Sequence, residues 1–136
     1  MGWDAFATGP RGGEIKVYYP RLNGGADDPY ILNETLRKAF KDAAKRARRR
    51  AGSVDGGLDH GILNCSNCAA AIEDATGEFV FTENPWSPEY VKSVYESARW
   101  DFDERRKEML GKWAIESARE FLRVCAENDL GIRFSF

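Results

Sequence analysis

The sequence predicts an α+β fold: a mainly helical single domain, residues 1–136, with a small antiparallel sheet of about three short strands. Apolar residues recur at steps of three and four through the longest segments, which is typical of amphipathic helices. Short segments far apart in the chain instead alternate apolar and polar residues, which favours strands that pair antiparallel. The length is close to that of one domain, and no repeat or change of composition divides the chain.

The first predicted elements are a strand and a basic helix. Residues 14–19, EIKVYY, alternate apolar and polar side chains between turns rich in Gly and Pro, and this pattern predicts a strand. Residues 31–51 are predicted as a helix, with Asn33 near its N-cap and Gly52 at its C-cap. Its apolar face consists of Leu32, Leu36, Phe40, Ala43, Ala44 and Ala47.

The middle of the chain is predicted as a loop followed by a short helix. Residues 52–61 include four glycines, which is typical of a flexible loop. Asn64 or Ser66 can cap a helix over residues 68–75, and Gly77 ends it.

The second half is predicted as strand, long helix and strand. Residues 78–82, EFVFT, and residues 132–136, IRFSF, alternate as strands do. Ser87 as N-cap and Pro88 at the first helical position begin a long helix, in which Gly111 marks a kink or break. Aromatic residues of this half are predicted to face the core, with an exposed stacking platform as the alternative: Trp86, Tyr90, Tyr95, Trp100 and Trp113.

One short segment contains nearly all the soft metal ligands of the chain. His60 is the only histidine, and Cys65 and Cys68 are two of the three cysteines. Two thiolates in a Cys-x-x-Cys pair can bind one zinc ion at about 2.3 Å, and His60 can reach the same ion across the flexible Gly61. Cys125, in the last predicted helix, is the candidate fourth ligand. The segment therefore predicts a structural zinc site.

Other readings of these cysteines remain open. Buried cysteines commonly pack as small apolar side chains. Alternatively, Cys65 or Cys68 is the nucleophile of a hydrolase or acyl transferase, since a helix N-terminus stabilises a thiolate. His60 is then the base, and Asp59 or Asp55 orients it. A reversible disulfide between Cys65 and Cys68 is a further alternative, although the strand and helix pattern of thioredoxin-like proteins is missing.

The predicted first helix has an unusual concentration of positive charge. Residues 37–50 include eight of the 20 basic residues and one acid, Asp42. Because the apolar residues occupy the other side, the helix can pack and still present a positive ridge to phosphates of a nucleic-acid backbone or to an acidic protein. Solvation, or neutralisation by acids of the same chain or of a homodimer partner, is the alternative. The ridge residues are Lys38, Lys41, Lys45, Arg48 and Arg49.

The chain is predicted to be cytoplasmic. No apolar run approaches the roughly 20 residues of a membrane span, and the first residues lack the features of a secretory signal. An odd number of cysteines, three, is typical of reduced thiols. These observations predict a small binding or scaffolding domain, with a structural zinc ion and a basic helix that contacts an acidic partner. The thiol-dependent enzyme is the alternative.

Overall fold

The computed structural model of the chain describes residues 2–9, 34–54 and 57–136. The strands within these ranges are β1 (Asp4–Thr8), β2 (Ile62–Leu63) and β3 (Gly131–Ser135). The helices are α1 (Glu34–Ala51), α2 (Ser66–Thr76), α3 (Pro88–Ser97), α4 (Glu104–Leu110) and α5 (Lys112–Glu127). The predicted mainly helical α+β class with a small antiparallel sheet is confirmed.

Strand β1 lies at the centre of the sheet, because the strand order is β2-β1-β3 and both pairings are antiparallel. Ala5 stands opposite Leu63 on one side and Phe134 on the other. Ala5 and Ala7 are buried, so small side chains line the inner face of this strand. Sequence analysis missed β1, because Asp and Ala have low strand propensity and no large β-branched residue marks the alternation.

The predicted strands have different outcomes. The strand predicted at residues 132–136 is confirmed over residues 132–135, which belong to β3. The strand predicted at residues 78–82 is wrong, since this segment joins no strand among the described residues. Trp3 holds this segment instead. Its Nε1 donates a hydrogen bond to the carbonyl of Val80 at 3.1 Å, and its ring lies 6.4 Å from that of Phe81. The strand predicted at residues 14–19 lies outside the described residues.

The last part of the glycine-rich segment has regular structure that was not predicted. A single-turn 3-10 helix, Leu58–His60, ends at Gly61, whose φ of 78° favours glycine. Strand β2 follows at once and pairs with β1. Leu58 is fully buried and fixes this turn to the core. The regular structure was missed because one buried leucine among glycines gives no periodic pattern.

The predicted long helix is three helices. Ser87 caps α3 as predicted, since its Oγ accepts from the Tyr90 amide at 3.2 Å. The break at residues 98–103 was not predicted. Helix α4 begins after it, where the Asp103 carboxylate caps the helix by accepting a hydrogen bond from the Arg106 amide at 2.8 Å. The predicted break at Gly111 is confirmed. Its φ is 89°, and a Cβ at this position would lie 2.7 Å from Trp113 Nε1.

Helix α5 is the central helix of the packing and contacts α1, α2 and α3. The predicted apolar face of α1 is fully buried at Phe40, Ala43, Ala44 and Ala47, and the rings of Phe40 and Phe121 of α5 lie 6.0 Å apart. Leu36 is partly buried, and Leu32 lies outside the described residues. Gly52 ends α1, donating to the carbonyl of Arg48 at 2.8 Å. The outer face of α1 consequently points away from the protein.

Glu120 of α5 is fully buried, and it joins α5 to α1 through arginines. Arg46 Nε donates to Oε1 at 2.8 Å, and Arg50 Nη1 donates to Oε2 at 3.0 Å. Arg123 Nη1 lies 3.2 Å from Oε2. A buried carboxylate requires such partners, because its transfer from water is otherwise prohibitive. The hydrogen bond that Arg50 donates to Glu120 is the main cause that raises the pKa of Arg50. The contacts of Arg46 and Arg50 with Glu120 hold this end of α1 against α5.

We expect Glu120→Gln to lower the free energy of unfolding by about 2 kcal/mol, because hydrogen bonds between charged groups are lost and the arginines keep their charge. Urea denaturation followed by circular dichroism measures the change. Glu116→Gln is the matched control, since Glu116 is partly exposed and its one ion pair within the described residues is with Arg50, at 3.3 Å. The expected loss for this variant is under about 1 kcal/mol. Equal losses in the two variants would contradict the role assigned to Glu120.

Candidate anion-binding site

The outer face of α1 presents the predicted basic residues to solvent. All five are exposed. At 100° per residue they lie within an arc of about 100°, and the first and last are separated by about 16 Å along the helix axis. We call this set the basic ridge: Lys38, Lys41, Lys45, Arg48 and Arg49.

The basic ridge is rigidly supported and contains no apolar residue. The opposite side of α1 is occupied by Phe40, Ala43, Ala44 and Ala47, which are all fully buried. Rotation of the helix would expose this apolar surface, so the ridge cannot turn inward. Part of the ridge borders a shallow depression of about 340 Å³, lined by Arg37, Lys38, Lys41, Asp42 and Lys45.

Seven of the eight positive charges of α1, all except that of Arg37, divide into two groups. Arg46 and Arg50 contact Glu120 and have a structural role. The basic ridge forms no ion pair with any residue in the described part of the chain. Its charge is therefore available to a partner. The sequence predicted the exposed group correctly, because those residues lie opposite the apolar face.

A second basic surface was missed by sequence analysis. A groove of about 290 Å³ lies between the end of α1, α4, the segment before α4, and α5. We call it the α1/α5 groove, and it is lined by Arg50, Trp100, Lys107, Lys112, Ile115, Glu116 and Arg119. The residues are distant in sequence, so no local pattern reveals them. The only available signal was the seven-residue spacing of Lys112 and Arg119, which places both on one helix face.

The predicted zinc ligands occupy different environments. Cys65 is the N-cap of α2, where its Sγ accepts from the Asn67 amide at 3.3 Å. Cys68 and Cys125 are fully buried in the hydrophobic core, and burial raises the pKa of the Cys125 thiol. His60 ends the 3-10 helix, with Nε2 at 3.8 Å from Oδ1 of Asp59.

The structure gives no support to the predicted zinc site. Among residues 2–9, 34–54 and 57–136, no three His, Cys, Asp or Glu side chains are grouped so that they could hold a metal ion. His60, Cys65, Cys68 and Cys125 are thus not brought together as four ligands. The physical reason is that Cys68 and Cys125 fill apolar space in the core, whereas the Cys65 sulfur caps a helix. Zinc is left out of the function proposed below.

The thiol-dependent enzyme stays a prediction. Cys68 is fully buried, so a substrate could reach its sulfur only if the core opened. Cys65 is partly exposed at the start of α2 and is the better candidate nucleophile. Asp55, one of the two predicted orienting acids, lies outside the described residues.

We expect a thiol reagent at neutral pH to modify Cys65 of the folded protein first, because the other two sulfurs are buried and the Cys125 thiol resists ionisation. Mass spectrometry of peptides after a short exposure measures the order. Cys65→Ser is expected to abolish the rapid modification, while denaturation in urea exposes all remaining thiols. Rapid modification of Cys125 in the folded protein would contradict the burial described above.

Comparison with protein-family models, curated proteins and solved structures gives no match to this chain. The described part of the chain contains no helix with both the length and the apolar character of a membrane span. Two features of the chain itself bear on its function: the basic ridge and the α1/α5 groove.

Proposed function

We propose that this protein is a nucleic-acid-binding domain whose basic ridge contacts the phosphate backbone. The observation that supports the proposal is that the ridge is exposed and forms no ion pair with the residues that the structure describes. Phosphate contacts by Lys and Arg provide affinity without reading the base sequence. Binding of this kind is therefore expected to depend on salt and to discriminate weakly between sequences.

Charge repulsion argues against a ridge that is merely solvated. Lys45 follows Lys41 by four residues and precedes Arg49 by four, so like charges are neighbours on the helix surface. Each such pair costs about 0.2–0.5 kcal/mol of helix stability. The net charge of the whole chain is −2, so the accumulation does not follow from overall composition. An anionic partner that lies along the ridge would remove this repulsion.

The composition of the ridge favours a nucleic acid over an acidic protein. Protein interfaces have an apolar or aromatic centre and are depleted in Lys. The ridge arc has no apolar side chain between Lys38 and Arg49. A duplex has one negative charge per about 1.7 Å of its axis, so a face about 16 Å long can meet several phosphates at once.

The cytoplasm is the compartment that we propose. The three cysteines form no disulfide with one another, which is consistent with a reducing compartment.

We expect the double variant K41Q/K45Q to weaken the binding of duplex and single-stranded oligonucleotides and to make its salt dependence shallower. The slope of the logarithm of the binding constant against the logarithm of salt concentration should fall in magnitude by about 1.4 to 1.8, since each of the two lost phosphate contacts removes about 0.7 to 0.9. Fluorescence anisotropy of labelled oligonucleotides between about 50 and 200 mM salt measures the slope.

Two controls separate the ridge from overall charge. K92Q/R105Q removes the same number of charges from exposed residues of α3 and α4, and should leave the slope unchanged. Asp42→Asn, in the depression beside the ridge, should strengthen binding because it removes the one local negative charge. Flat salt dependence of the unmodified protein, or equal effects of the two double variants, would overturn the proposal. A dimer that K41Q/K45Q converts to monomer would instead identify a second copy as the partner.

A further inference from the structure

The α1/α5 groove has a floor made by one helix face and walls from other elements. Lys112, Ile115, Glu116 and Arg119 follow one another at steps of three, one and three residues, so they share one face of α5. The remaining lining residues come from the end of α1, the segment before α4, and α4 itself. Arg49 of the ridge and Arg50 of the groove are consecutive residues of α1, so their side chains differ by about 100° around the helix axis. The end of the ridge and the groove therefore lie on different faces of the last turn of α1.

Two cations of the groove are available to a ligand. Arg50 contacts Glu116 at 3.3 Å and Glu120 at 3.0 Å, so its charge is neutralised within the protein. Lys107 contacts Glu104 at 3.3 Å. Lys112 and Arg119, in contrast, form no ion pair with any residue that the structure describes. Glu116, the acid of the groove, is already paired, so the groove attracts an anion.

Trp100 adds an aromatic surface to these charges. Its indole lines the groove and is partly buried, and the ring of Phe102, 6.3 Å away at an angle of 36°, supports it. Ile115 contributes a further apolar surface. A large aromatic ring beside cations suits a ligand that has both a flat ring and an anionic group, as nucleotides do. The volume of about 290 Å³ is near the lower limit for small-molecule sites and limits the ligand to one such unit.

We propose that the α1/α5 groove binds a nucleoside phosphate, with Lys112 and Arg119 on the phosphate and Trp100 stacked on the base. The same chemistry is available from a free mononucleotide and from one nucleotide of a single strand that also contacts the basic ridge. The second source rests on the proposed function; the first does not.

Titration with adenosine 5′-monophosphate at low salt tests the groove alone. The indole N–H signals of the four tryptophans report the position of binding in ¹⁵N NMR spectra, and Trp100→Phe assigns the signal of Trp100. We expect the Trp100 signal to move most. K112Q/R119Q and Trp100→Leu should each weaken binding at least about tenfold, whereas Trp100→Phe retains most of it. K92Q/R105Q is the control for total charge and should bind normally.

Separate substitutions then identify the source of the nucleotide. If the ligand is part of a strand, groove variants and K41Q/K45Q both weaken a single-stranded oligo-dA. If it is a free mononucleotide, groove variants abolish binding of the monophosphate and leave oligo-dA binding intact. Both results support the groove site. Failure of the ridge is distinguishable, because K41Q/K45Q would then leave oligo-dA binding unchanged while groove variants still weaken binding of the monophosphate.

Two results would overturn the groove proposal. One is that neither the monophosphate nor oligo-dA responds to K112Q/R119Q or to Trp100→Leu. The other is that inorganic phosphate binds as tightly as the monophosphate and Trp100→Leu changes neither, which would leave an anion site without base stacking. Circular dichroism verifies that Trp100→Leu is folded; K112Q/R119Q changes side chains that line an open groove and provides the test independently of that variant.

Discussion

The buried carboxylate of Glu120 is the constraint on which the position of both basic surfaces depends. A fully buried negative charge must be paired, and its partners come from α5 itself and from the last turns of α1. This requirement and the burial of the apolar face of α1 both fix the rotation of α1 about its axis. With Arg46 and Arg50 directed towards α5, the residues opposite the apolar face can only be directed outwards.

The same constraint separates structural charge from available charge. A simple count of basic residues in α1 overestimates the positive potential, because part of the charge is cancelled within the protein. What remains in α1 is the basic ridge, whereas the available cations of the α1/α5 groove, Lys112 and Arg119, belong to α5. On the proposed groove site, Glu116 and Glu120 neutralise Arg50 and so leave the phosphate to Lys112 and Arg119.

The sequence predicts helix faces well, because a helix repeats its environment every few residues. Both faces of α1 and the start of α3 at Ser87 and Pro88 follow from this periodicity. It predicts poorly what depends on partners distant in the chain. Strand β1 is held by neighbours at both edges, and three of its five residues, Asp4, Ala5 and Ala7, have low strand propensity. The groove combines residues from α1, α4 and α5, so only the packed structure brings Trp100 near Lys112.

The segment from His60 to Cys68 shows how candidate ligands that are close in sequence come to lie in different environments. Helix α2 begins between the two cysteines, so Cys65 lies at the N-cap while Cys68 lies one turn further along, on the buried side. Although the two sulfurs are close in sequence, they therefore lie in different environments, one at the helix end and one in the core. The charges of α1 behave in the opposite way, since the helix gathers them on one surface. The difference lies in which side of each helix faces the core, and that side is determined by the apolar residues around the candidate site.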